Sequence, residues 1–323
     1  MHKPFTIFLI VLSLSTATAS ADDYVLPPVD IDLVGDMQYT TALYEDTLLD
    51  IARRFDVGQN EIVHANPNVD RWLPGENTKV YLPKRYILPE APRKGLILNI
   101  GELRMFYYPR ARRGEINQVT THPISIGRMD WRTPLGTTKI VAKTKNPAWR
   151  PPESIKAEHA AQGDPLPDVV PAGPDNPLGL YAMRLGLPGY LIHGTNKPLG
   201  VGMRVSHGCV RMLPEDIEKL FPQIKVGLPV YIINQPVKYG WLADTFFVEA
   251  HPRLEEEQLG EDDSMQLALY QIEKNHPQAL LNLDSYALRI ALRQRRGIPI
   301  PISRRENPED DRYMPPTVES EVF

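Results

Sequence analysis

The chain has one cysteine in 323 residues, Cys209, so it can hold no internal disulfide. No CxxC or HxxxH pair accompanies that thiol, which argues against a zinc centre built on it. Long apolar runs are also missing. The stretch from Phe5 to Leu14 falls short of the about 20 residues that crossing a bilayer takes. Nor is there an excess of either charge: 36 Lys and Arg against 40 Asp and Glu leave a net charge of −4, which offers no electrostatic grip on nucleic acid. Proline, at 32 residues, is plentiful, so many connections are stiff and extended.

What is present gathers around the lone thiol, in Ser206-His207-Gly208-Cys209-Val210-Arg211-Met212. A thiol attacks as its thiolate, a minority species near its ordinary pKa, so a nucleophilic cysteine needs a base or cation beside it. His207 stands two residues away, and His193 lies upstream in Leu191-Ile192-His193-Gly194-Thr195-Asn196. Gly208 lets the backbone turn sharply and aim consecutive N–H groups at one point, where an oxyanion would form. These are the parts of acyl transfer. The residues alone leave two other readings open, an inert cysteine in a strand core and a Cys/His metal ligand set.

The stretch resembles the L,D-transpeptidases of bacterial cell walls, whose YkuD-type catalytic domain carries a His, a mid-teens gap, then Ser/Thr-His-Gly-Cys followed by one residue and Arg or Asn. His193, Ser206, His207, Gly208, Cys209 and Arg211 match every fixed position, and Ile192 to Asn196 with Pro174 to Gly179 match the extended Gram-negative form. The resemblance implies Cys209 as nucleophile and His193 as general base, its ring oriented by a backbone carbonyl, for which Gly194 is the candidate. It implies that Ser206 and His207 shape the pocket, and that N–H groups around Gly208 and Cys209 hold the oxyanion. Arg211, Gly194, Thr195 and Asn196 fall on the substrate side, with Arg211 either binding a carboxylate or pinning the loop by an ion pair. The implied donor is a peptidoglycan tetrapeptide stem that loses D-Ala. The acceptor is a second stem, giving a 3→3 cross-link, or the lysine of an outer-membrane lipoprotein. Transfer to water would make a carboxypeptidase, and an inert catalytic domain would leave a wall-binding scaffold. No metal or cofactor is expected.

Along the chain, Lys3, the apolar run and Ala19-Ser20-Ala21 read as a secretory signal over 1–21, which places the protein in the periplasm. In that oxidising compartment a lone reactive thiol implies a periplasmic thiol reductant as partner. Residues 37–84 predict strand, helix, helix, strand. Thr47 to Asp50 resembles a capping box; Leu48, Ile51, Ala52 and Phe55 share a helical face, and Asn66-Pro67 ends the second helix. Tyr39-Thr40, Asp46-Thr47-Leu48, Ala65-Asn66-Pro67 and Pro74-Gly75 make this unit similar to a lysin motif (LysM), a βααβ module that grips peptidoglycan glycan; Leu43-Tyr44-Glu45 departs where a Gly commonly stands.

A proline-stiffened linker over 85–95 leads to the catalytic unit, 96–234. Short strands are expected at Leu96–Ile100, Leu103–Tyr107, Val119–Ile126, Thr137–Ala142, Tyr181–Leu185, Tyr190–His193 and Leu228–Asn234, the first two joined by the Gly101-Glu102 turn. Pro214 opens a helix with Glu215 and Asp216 in its first turn. The expected class is α+β and multidomain, with a mostly antiparallel, sandwich-like catalytic core. Residues 146–179 have no clear periodicity and read as a lid over the cysteine cleft, packed through Trp149 and Pro151. Residues 235–303 read as an extension with a helical hairpin, and 304–323 as a disordered tail.

Overall fold

A computed structural model describes residues 22–303; the expected signal segment and tail lie outside the described residues. The N-terminal module is βααβ. Strands Gln38–Thr41 and Lys79–Leu82 pair antiparallel, and helices α1 (Leu48–Arg54) and α2 (Gln59–Ala65) connect them. The capping box at the start of α1 forms: the Thr47 hydroxyl accepts from the Asp50 N–H at 3.1 Å, and the Asp50 carboxylate accepts from the Thr47 N–H at 3.0 Å. Leu48, Ile51 and Ala52 from the expected face join Ile62, Val80 and Leu82 in a small core.

The catalytic core is a closed barrel. Taken around the ring, its strands are Gln118–Gly127, Val210–Met212, Leu191–His193, Tyr181–Leu185, Gly136–Lys145, Pro229–Ile233, Gly95–Asn99 and Arg104–Tyr108, and the last pairs back onto the first. Two contacts are parallel, Leu191–His193 with Val210–Met212 and Pro229–Ile233 with Gly95–Asn99; the others are antiparallel. This corrects the sandwich expectation. Closure follows because Gln118–Gly127 is long enough to pair with Arg104–Tyr108 over one part of its length and with Val210–Met212 over another.

Alternation explains why these strands read as apolar throughout. Leu96 and Leu98 face one cluster with Met105, Ile124, Met183, Ile192 and Val230, while Ile97 between them faces a second with Phe106, Val119, Val34 and Tyr86. The first hairpin differs from expectation. Asn99 pairs with Arg104, so the loop has four residues, and Leu103 takes the positive φ of 60°. Gly101 serves close approach instead, since a Cβ there would lie 2.6 Å from Asn234 Oδ1.

The 146–179 excursion contains helix α3 (Glu153–Ala161), which its sequence did not announce because Ile155 is the only buried residue on it. Helix α4 (Pro214–Leu220) starts with proline as expected and buries Ile217 and Leu220 in the barrel cluster. After the barrel, the hairpin Val237–Leu242 and Thr245–Ala250 gains a third strand, Pro299–Pro301. Helices α5 (Glu261–Asn275) and α6 (Ser285–Gln294) pack on that sheet through Met265, Ala268, Ile272, Leu288, Ala291 and Leu292.

The N-terminal module docks directly on the barrel. Arg104 is fully buried, with Nε and Nη2 each 2.8 Å from Glu61 of α2. The Gln59 and Asn60 N–H groups donate to the carbonyls of Val201 and Gly202 at 3.1 and 3.3 Å. Gly202, at φ +91°, is required there: a Cβ would come within 2.3 Å of the Gln59 nitrogen. The module thus braces the segment that leads into strand Arg204–Ser206 and the cysteine loop.

Candidate active site

Cys209 sits between strands Arg204–Ser206 and Val210–Met212, at the end of a loop that only glycine can make. Gly208 has φ +97°, and a Cβ there would lie 2.9 Å from the Tyr190 ring. The Thr133 hydroxyl donates to the Gly208 carbonyl at 2.9 Å, and the Ser206 hydroxyl donates to the Cys209 carbonyl at 2.5 Å, so the loop is fastened from both sides.

Strand register sets the histidine strand beside the strand that follows the thiol. His193 pairs with Arg211 in the parallel ladder, so the two side chains share a face, and Cys209 lies in the bend just before that strand, two residues from Arg211. The imidazole Nδ1 donates to the Gly194 carbonyl at 2.6 Å; a carbonyl only accepts, so the proton is on Nδ1 and Nε2 keeps its lone pair. Burial, with help from the Arg211 cation, pulls the His193 pKa down to about 4 against the opposing Gly194 bond. Burial also pushes the Cys209 thiol up, although the Leu191 N–H and the Arg211 cation both favour its thiolate. The Cys209 S–H points towards the Gly189 carbonyl at 3.6 Å. Burial thus favours the neutral form of both the thiol and the imidazole.

His207 turns towards the excursion. Its Nε2 lies 3.0 Å from Glu158 Oε2 on α3 and 3.3 Å from Arg128 Nη2, and its ring meets Trp131 edge-on at 5.3 Å. Arg128 first, then His207, hold the Glu158 carboxyl below its usual range. Glu158, Arg128 and Trp131 escaped the sequence reading, since nothing local marks residues brought in from two other segments. Trp149 and Val170 bridge the base of the excursion through paired backbone bonds of 2.8 Å, and Pro151 is buried. The fully buried Asn176 closes that base by donating a hydrogen bond from its side-chain NH2 to the Pro147 carbonyl at 2.8 Å.

Of the residues expected on the substrate side, Arg211 has no ion pair among the described residues, and its buried Nε has no hydrogen-bond partner. Burial lowers its pKa. Thr195 is buried and accepts from the Lys197 N–H at 2.9 Å, while the exposed Asn196 donates to the Asp175 carbonyl at 3.1 Å. Both hold the loop after the histidine strand in place.

A half-buried thiol, an imidazole with its free nitrogen set by a backbone carbonyl, and a positive-φ glycine just before the cysteine are the parts that cysteine acyl-transfer chemistry uses. Residues 93–232 match the L,D-transpeptidase catalytic domain, YkuD. The probable L,D-transpeptidase YcfS of Escherichia coli K12 is 37% identical over 294 residues, which cover 89% of this chain and 90% of that protein. YbiS of the same strain, also a probable L,D-transpeptidase, is 43% identical over 73% of this chain and 76% of its own length. The probable L,D-transpeptidase ErfK/SrfK is 36% identical, covering 90% and 94%. The chain belongs to the L,D-transpeptidase family and is an enzyme of that class.

Proposed function

We propose that the protein is a periplasmic peptidoglycan L,D-transpeptidase in which Cys209 attacks the tetrapeptide stem between the L-centre of diaminopimelate and the terminal D-Ala. The observation that supports this reading is the parallel ladder that pairs His193 with Arg211, two residues beyond Cys209. As the C–S bond forms, the thiol proton passes to His193 Nε2. The imidazolium then returns it to the departing amine, the C–N bond breaks and D-Ala leaves. An acceptor amine gives its proton to the same nitrogen as its C–N bond forms, the C–S bond breaks, and the imidazolium returns the proton to the departing Cys209 thiolate. The N–H groups around Gly208 and Cys209 hold the oxyanion in both steps. Arg211, with no ion pair among the described residues, is available for a stem carboxylate, and this favours substrate binding over loop pinning.

The βααβ module is read as a LysM unit that grips glycan. A groove of about 510 Å³ runs along it, lined by Tyr39, Asn66, Lys79, Tyr81 and Arg296 among others, and supports that reading. The signal segment carries the chain to the wall. Among the described residues no helix is long and apolar enough to cross a membrane.

Purified protein incubated with disaccharide-tetrapeptide should release D-Ala, and Cys209→Ser should not. No release from folded, reduced protein would sink the catalytic reading and leave the scaffold alternative. Muropeptide profiles of cells lacking or overproducing the protein distinguish stem, lipoprotein and water as acceptor.

A further inference from the structure

Among the described residues two buried clusters have the same make-up, two carboxylates and one imidazole, and they differ in how their charge is met. In one, the Lys238 ammonium lies 2.5 Å from Glu102 and 3.0 Å from Glu249. The remaining oxygens there receive the Asn99 amide at 2.6 Å and the Ile87 N–H at 2.6 Å, and His251 sits 2.8 Å from Glu249. That cluster is complete, with a lysine as its cation.

The other cluster joins Asp56, which follows α1, His122 on the barrel strand Gln118–Gly127, and Asp216 in the first turn of α4. All three are at most 1% exposed. Among the described residues neither carboxylate receives a hydrogen bond from a third residue, and the two carboxyls face each other. Of the cations nearby, Lys219 acts on Asp216 only through space, and the two arginines are engaged elsewhere. Arg104 spends Nε and Nη2 on Glu61 and meets Asp56 only through a 3.3 Å bond to its backbone carbonyl, and Arg53 is paired with Glu215 at 2.9 Å. Two buried carboxylates left without donors are costly unless they share a proton or coordinate a cation.

We propose that Asp56, His122 and Asp216 form a binding site for a divalent first-row transition ion, with zinc as its favoured member, that clips the N-terminal module to the barrel. His122 Nδ1 lies 3.6 Å from Asp216 Oδ2 and 3.8 Å from Asp56 Oδ2, and the donor atoms of all three residues lie within 4.8 Å of one another. In a tetrahedral zinc site with nitrogen and oxygen ligands at about 2.0–2.1 Å, neighbouring donors are about 3.4 Å apart, so the two imidazole-to-carboxylate distances are already close to what the ion requires. An imidazole with only two carboxylates suits zinc or manganese better than calcium, which takes six to eight oxygens. Burial raises the pKa of both carboxyls, Asp216 to about 6, a strain that a cation removes. Because one ligand comes from the module and two from the barrel, the ion is taken up as the two surfaces meet.

The test uses the full chain carrying Cys209→Ala, so that the thiol and His193 offer no rival ligand set. After chelator treatment, zinc is titrated in competition with a chromogenic chelator, with manganese run in parallel. One zinc per chain is expected, together with a higher unfolding temperature. Losing a ligand should weaken binding by more than the about 10- to 100-fold that outer partners cost, so Asp56→Asn and Asp216→Asn should each lose about 100-fold or more. Circular dichroism establishes that both variants are folded. Diffraction from crystals of the unmutated protein at the zinc absorption edge should place an anomalous peak among the three residues, independently of either variant. Stoichiometric zinc that survives both substitutions, an anomalous peak elsewhere, or no zinc held at all would overturn the proposal and leave Asp56 and Asp216 as a proton-sharing pair.

Discussion

The Nδ1 of His193 lies 2.6 Å from the carbonyl oxygen of Gly194, its own neighbour in the chain. This bond fixes which nitrogen is free, and it is made by the histidine that comes from a separate strand, not by the one two residues from the thiol. His207 is already held by Glu158 and Arg128.

His193→Ala should therefore slow acylation by about two to four orders of magnitude, the usual cost of a positioned base, and His207→Ala should slow it less. Burst acylation by a chromogenic β-lactam compares the two. A larger loss for His207→Ala would reverse the assignment.

The acid limb of the same acylation should lie near pH 4, well below the ordinary histidine range. His193 must be neutral to accept the thiol proton, and its pKa is lowered to about 4 by burial and then by Arg211. Arg211→Gln removes a positive charge, so the limb should move up towards the usual histidine value. A limb that stays in place would show that Arg211 does not act on the imidazole.

Glu158→Ala should lower turnover without abolishing it. The substitution unfastens the excursion from the cysteine loop by removing the 3.0 Å contact to His207 and both bonds to Arg128, of 2.8 and 2.9 Å. About a tenfold fall is expected, smaller than for the base itself. Single-turnover D-Ala release measures it, and an unchanged rate would mean that the fastening carries no function.

Glu61→Ala should destabilise the protein by about 3–5 kcal/mol, because it leaves the Arg104 guanidinium buried without its carboxylate. Both partners are nearly inaccessible, at 0% and 6% exposure, so solvent does not replace the lost charge. Urea unfolding reads the change, and a loss below about 1 kcal/mol would indicate a wetter interface than the geometry gives.

Tyr39→Ala should weaken binding to insoluble peptidoglycan while leaving turnover of small soluble muropeptides intact. Tyr39 is 42% exposed on the module's groove and meets none of the residues around the thiol. Equal sedimentation of both proteins with sacculi would remove this groove from the glycan-binding reading.

Local features were legible in the residues. The Thr47 capping box, the strand Tyr181–Leu185, the proline start of α4 and the glycine turn before Cys209 all formed where expected, because each is decided within a few residues by sterics and short hydrogen bonds. The identity of neighbours was not legible. Period-two apolar patterns report that a face is buried but not which strand covers it, so barrel closure and the two parallel pairings came only with the folded chain. Helix α3 was hidden because it buries a single side chain, and Glu158 could not be matched to His207 across 49 residues. Asp56, His122 and Asp216 are unremarkable where each stands; burial in one place turned them into a set, since removing water is what gives facing charges their force.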